Sequence, residues 1–213
     1  MYAYEGLASV HFATEHVTTI DIDLLYDARA SLRLAGPDVV RTGLLGQLQK
    51  VDHSFRVERG GFRAANDGGF LVDLIAPQPR RAVNRPARNR IGDDEADQAA
   101  AEIEGLAWLQ NSPGVSQIVL DEKGFPLRMF APDPRAFAMH KAWLSERSDR
   151  EAGKRRRDLA QARAVAGLVQ LYLPALRFDD PALNAFPAPV RAHGALLVDQ
   201  AGLAPADGAE DWS

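Results

Sequence analysis

Six residues have the types and spacing to do chemistry: Asp21 and Asp23 in "TTIDIDLLYD", Asp73 in "GGFLVDLIAP", and Lys141, Lys154 and Asp158 in "HKAWLSERSDREAGKRRRD". Residues two apart in a strand share a face, so Asp21 and Asp23 are expected side by side, with Ile20, Ile22 and Leu24 opposite. Two adjacent carboxylates repel unless solvent or a cation relieves them, and Mg²⁺ or Mn²⁺ prefers carboxylate oxygens together with substrate phosphates. The same alternation also describes a half-buried strand with a polar outer face, although aspartate is depleted in strands. Asp73 stands alone in an otherwise apolar strand, the kind normally buried in a sheet. A lone buried carboxylate is costly unless it is paired or binds a metal. If the two strands are neighbours, the three acids converge on a two-metal site. Such a site holds a triphosphate, activates an attacking hydroxyl and neutralises a departing pyrophosphate.

Lys154 and Asp158 are four residues apart on a predicted helix and can pair with each other. Lys141 shares a helix side with Phe137 and Leu144, where a lysine without a partner is desolvated. Either a bound phosphate or a carboxylate of the same protein satisfies it.

The elements that position these residues follow from periodicity. "VTTIDIDLLYD" reads as a strand, and "GPDVVRTGLLGQLQKV" as a helix opened by Pro37 and Asp38 with Val40, Leu44, Leu45 and Leu48 inward. "SFRVE", "GFRAAN" and "GFLVDLIAP", separated by "RGG" and "NDGG", form an antiparallel meander. Residues 76–98 are rich in proline and arginine, then acidic, and read as a surface loop or insertion. "EIEGLAWLQ" and "VSQIVLDEKGFPLRMFAP" give a further strand and a hairpin. Then "PDPRAFAMHKAWLSER" reads as a helix capped by Asp133 and Pro134. A second helix, with Leu159, Ala162, Ala166, Val169 and Tyr172 inward, stops at Pro174. Around "PAPVRAHGALLV" a third amphipathic segment follows, and residues 1–10 carry a loose helical stripe. The fold expected is α+β: a small mixed or antiparallel sheet with flanking helices over 1–132, a helical part over 133–198, and a flexible tail over 199–213.

Composition narrows the classes. With 46% hydrophobic and 25% charged residues and no apolar run near the ~20 that span a bilayer, the chain reads as globular, with no membrane partner. It has no cysteine and its N-terminus lacks a signal-peptide pattern, so a cytoplasmic location is expected. A net charge of −4 leaves only local patches for a polyanion, such as "RRAVNRPARNR", which reads as a solvated loop or a contact for RNA or an acidic protein surface. His11, His16, His53, His140 and His193 show no metal-ligand spacing, and Trp108, Trp143 and Tyr172 read as packing.

An aspartate pair on one strand, followed after a helix by a third acid on an antiparallel strand, resembles the polymerase-β-type nucleotidyltransferase superfamily. The chain is similar in particular to a bacterial nucleotidyltransferase-like group related to AbiEii toxins, from "YAYEGLASVHF" and "TTIDIDLLYD" through "APDPRAFAMHKAWLSER" and "KRRRDLAQA". The resemblance implies Asp21 and Asp23 as the metal-binding pair and Asp73 as the third carboxylate, general base or second-metal ligand. It implies Lys141 and Lys154 near the nucleotide's phosphates and Asp158 as the acid closing the lysine-to-aspartate motif. It also implies an NTP substrate and Mg²⁺ or Mn²⁺ and, by family analogy alone, a toxin-like role that modifies tRNA ends. The superfamily places a Gly-Ser pair upstream of the aspartate strand, where a helix N-terminus holds phosphates. No such pair precedes the strand here, because Gly6 and Ser9 fall within the predicted helical segment, and truncation or deletion of that motif is expected. Two functions follow: transfer of a nucleoside monophosphate from an NTP to an acceptor, or a catalytically silent relative acting as a binding or regulatory partner.

Overall fold

The computed structural model describes residues 21–26, 37–79, 90–91, 95–120 and 123–200, without the side chains of residues 21, 37–42 and 198–200. The helical stripe expected over 1–10, most of the arginine-rich stretch and the tail from 201 lie outside the described residues. The chain divides into two compact units, one on residues 18–110 and one on 111–213, so the hairpin clusters with the C-terminal helices.

In the first unit, β1 (Asp21–Leu25), β2 (Arg56–Val57), β3 (Arg63–Ala65), β4 (Leu71–Pro77) and β5 (Ala101–Ile103) form one mixed sheet in the order β1-β4-β3-β2, with β5 also on β4. Parallel β1 runs along Leu71–Ile75, antiparallel β3 along Leu71–Asp73, and parallel β5 along Ile75–Pro77. Strand β4 therefore has partners on both edges, which is why its sequence is an apolar run rather than an alternation. The β2-β3-β4 meander forms as its turn residues predict: the Asn66 side-chain oxygen accepts the Phe70 N–H at 2.7 Å and closes the β3–β4 turn.

Helix α1 (Pro37–Val51) lays Leu45 and Leu48 on Phe55, Ala64 and Val72, and Leu44 on Leu74, Ala76 and Ala100. Ala64, Val72, Leu74 and Ala76 share one sheet face, so the alternate positions, Arg63 and Asp73 among them, occupy the other. The single helix expected here is in fact broken at Gly43 (φ 64, ψ −174). Its second half starts anew with the Asp97 carboxylate accepting the Leu44 and Leu45 N–H groups at 2.9 and 2.8 Å. A Cβ at Gly43 would lie 2.3 Å from Asp97 Oδ2, so backbone angle and close approach both require glycine. Asp97 and Gln98 fall within the stretch expected as a surface loop, yet both are buried. Gln98 Nε2 donates to Phe62 O and Val72 O at 2.9 and 2.8 Å, tying this segment to the sheet. Part of the expected "EIEGLAWLQ" strand is instead a short helix, α2 (Leu106–Gln110).

The second unit begins with hairpin β6 (Gly114–Leu120) and β7 (Pro126–Pro132), followed by α3 (Pro134–Glu146), α4 (Ala152–Tyr172), a 3₁₀ turn (Pro181–Leu183) and α5 (Ala188–Gln200). Asp133 caps α3 by accepting the Arg135 N–H at 2.8 Å, with Pro134 in the first turn. Ala131, Phe137, Ala138 and Ala142 meet Ala162, Val165, Ala166 and Leu197 in one core, against which Val115 packs, so the hairpin and helices share it. Helix α5 comes close at Gly194, where a Cβ would lie 3.0 Å from Phe178 and 3.1 Å from Met139 Sδ. Helix α4 stops two residues before Pro174, as expected, but Tyr172 is 60% exposed rather than packed, because it lies in the last turn beyond the shared core. Among the described residues no helix is long and apolar enough to cross a membrane.

Candidate active site

The β1–β4 register sets Asp23 directly beside Asp73, and the β3–β4 register sets Arg63 on the other side of Asp73. Side chains at paired positions point to the same face. Asp23, Asp73 and Arg63 therefore form a row across three strands, on the face that α1 does not cover. Asp21 pairs in backbone register with Leu71, two residues ahead in the same ladder.

Asp73 is 9% exposed, the buried carboxylate that its apolar strand implied. Its two oxygens accept Arg63 Nε and Nη2, both at 2.6 Å, in a bidentate pair. The side chains are unequally placed: Asp73 is 12% exposed, Arg63 33%. The guanidinium can reach water without disturbing the sheet, whereas the carboxylate cannot.

In the second unit, Lys141 Nζ on α3 donates to Asp158 Oδ1 on α4 at 3.0 Å, with side-chain exposures of 3% and 0%. Arg150 donates to the other Asp158 oxygen, so the carboxylate is clasped from two sides. Of the two partners open to Lys141 on its sequence, the one present is a carboxylate of the same chain. The Lys154–Asp158 pair that helical spacing allows does not form. Asp158 turns into the core between α3 and α4, while Lys154, 56% exposed, pairs with Glu151 at 3.6 Å. His140 lies next to Lys141, fully buried, with its ring 5.6 Å from that of Trp143. Burial first, and then the Lys141 ammonium, push its pKa down to about 3, so the imidazole is neutral at neutral pH.

Three participants escaped sequence reasoning: Arg63, Arg150 and Asp97. Arg63 had a usable signal, since it and Asp73 lie equally far on either side of the Asn66–Phe70 turn, and a tight hairpin makes such positions partners. Asp97 is 53 and 52 residues from Leu44 and Leu45, and Arg150, though only eight from Asp158, lies ahead of the helix with no turn or helical spacing to mark the pair.

Asp23 and Asp73 thus stand in register on neighbouring strands of a small mixed sheet, and the helical part carries a sealed lysine–aspartate pair. The family model described as "Nucleotidyltransferase" matches residues 1–187, and the chain belongs to that nucleotidyltransferase family. Membership implies transferase activity on a nucleotide substrate. Neither the curated proteins nor the solved structures yield a match to the chain.

Proposed function

We propose that this chain is a metal-dependent nucleotidyltransferase that moves a nucleoside monophosphate from an NTP to an acceptor hydroxyl or phosphate. The observation that carries this reading is the register of Asp23 with Asp73. It puts two hard-oxygen donors side by side on one sheet face, a donor chemistry that fits Mg²⁺ or Mn²⁺. Among residues with described side chains, no three of His, Cys, Asp or Glu converge as a metal site. Asp21, whose side chain lies outside that set, is the third ligand in this reading. The divalent cation, when bound, supplies charge neutralisation for the triphosphate.

In the transfer itself, the acceptor oxygen forms a bond to the α-phosphorus, the bridging oxygen bond breaks, and pyrophosphate departs with the electron pair. Asp21 and Asp23 fix the cation, Asp73 adds an oxygen to it and, as the carboxylate nearest the acceptor in this reading, also takes the acceptor's proton. Within the helical part, Lys141 and Asp158 hold α3 to α4, while Lys154 stays exposed beside Glu151. The acceptor class is RNA or a protein, and the AbiEii-like resemblance favours RNA ends. The test is label transfer from α-³²P-NTP in Mg²⁺ to RNA and to protein acceptors. Labelling of either that disappears in Asp23→Asn supports the reading; labelling undiminished in Asp23→Asn refutes it.

A further inference from the structure

The Arg63–Asp73 pair raises a question the acid row alone does not: a carboxylate that gives a lone pair of each oxygen to a guanidinium, and whose charge that guanidinium already neutralises, is a poorer ligand for a cation. We infer that Arg63 is a latch on the acid row, occupying Asp73 in the metal-free chain and competing with a divalent cation for it. The inference rests on reading the row as a metal site and adds its regulation.

Three observations carry it. The contact is bidentate, with both N–H···O distances at 2.6 Å, so no oxygen of Asp73 is left with its in-plane lone pairs fully open. The register places Arg63 and Asp23 on opposite sides of Asp73, so cation and guanidinium approach the same carboxylate from opposite edges of β4. The arginine is the more exposed partner: its side chain is a third exposed, and its guanidinium carbon already lies 5.7 Å from the Phe62 ring centroid, a contact that does not depend on Asp73. Latching also answers a stability problem, because the Asp73 carboxylate would otherwise stand buried and uncompensated whenever the cation is absent.

The experiment titrates the full chain with Mn²⁺ alone and follows the free-ion signal by electron paramagnetic resonance. Arg63→Gln should bind Mn²⁺ roughly tenfold or more tightly than the wild type, and Arg63→Lys, which keeps the charge but cannot clasp both oxygens, should fall between. Arg56→Gln, an equal change of charge on β2, should leave the affinity within about twofold. In an Asp73→Asn background, Arg63→Gln should have no effect. Wild-type affinity in both folded Arg63 variants overturns the latch while leaving the metal site standing, and if Arg63→Gln fails to fold, wild-type affinity in Arg63→Lys overturns it alone. Mn²⁺ binding that is absent, or indifferent to Asp23→Asn, overturns both the latch and the reading beneath it.

Discussion

Asp73 and Asp158 are both aspartates held by an arginine, yet they sit in opposite circumstances. Asp73 lies at the centre of a sheet with a partner one-third open to water. Asp158 is wholly buried; its arginine, Arg150, is 28% exposed, much like Arg63, but its lysine partner is sealed with it. A charge pair that can open to solvent can exchange one partner for another, and is suited to binding. A pair that cannot open is bound to structure, since removing either partner strands the other in a low-dielectric interior. Both aspartates are implied as functional by resemblance, and they differ in burial and in partners.

The contrast is sharpest at Asp158. Replacing it by Ala leaves Lys141 uncompensated between α3 and α4, and should cost about 3–5 kcal/mol in chemical denaturation. A loss under ~1 kcal/mol would mean that the sealed pair is not structural. A comparably large effect is expected from acid. The folded-state pKa of His140, about 3, lies below its ordinary 6.5. Its contribution to stability is therefore fully present above pH 6.5 and is lost as pH falls from there toward 3. The slope is ~1.4 kcal/mol per pH unit for one proton. The groups facing it are Lys141, Asp158, Arg150 and Arg147, and His140→Leu should remove one proton from the pH dependence. An unchanged slope would show that His140 is not neutral in the fold.

Gly43→Ala should cost roughly 2 kcal/mol, because a Cβ in that left-handed conformation meets the Asp97 carboxylate that caps the second half of α1. Thermal melts of Gly43→Ala and Asp97→Ala together should show less than the sum of the two losses. At the small end, Lys154→Ala should change stability by no more than ~0.5 kcal/mol, since its pair with Glu151 is exposed. A larger loss would place Lys154 with the sealed network rather than on the open surface.

How much of this was legible in the sequence depends on how local each feature is. The meander, the α3 cap at Asp133 and the stop before Pro174 follow from turn and capping residues within a few positions, and all three formed as read. The pairing of β1 with β4 was legible only as a condition: nothing in "DIDLL" names its neighbour, yet the buried acid of "LVDLI" makes sense once the strands lie together. The break at Gly43 was invisible because its cause, Asp97, is 54 positions away in a segment whose composition reads as solvent-exposed loop. The Lys154–Asp158 pairing failed for a related reason. Helical spacing permits a contact, but which face turns inward is decided by α3, and Lys141 and Arg150 reach Asp158 first.

The central claim is that the open row, and not the sealed pair, binds nucleotide through a metal. Calorimetric titration of Mg²⁺-NTP into the wild type and into Asp21→Asn/Asp23→Asn, each checked for an unchanged melting temperature, tests it directly. Saturable binding is expected in the wild type, and its loss in the folded double variant. Equal binding by the two, or none by either, would contradict it.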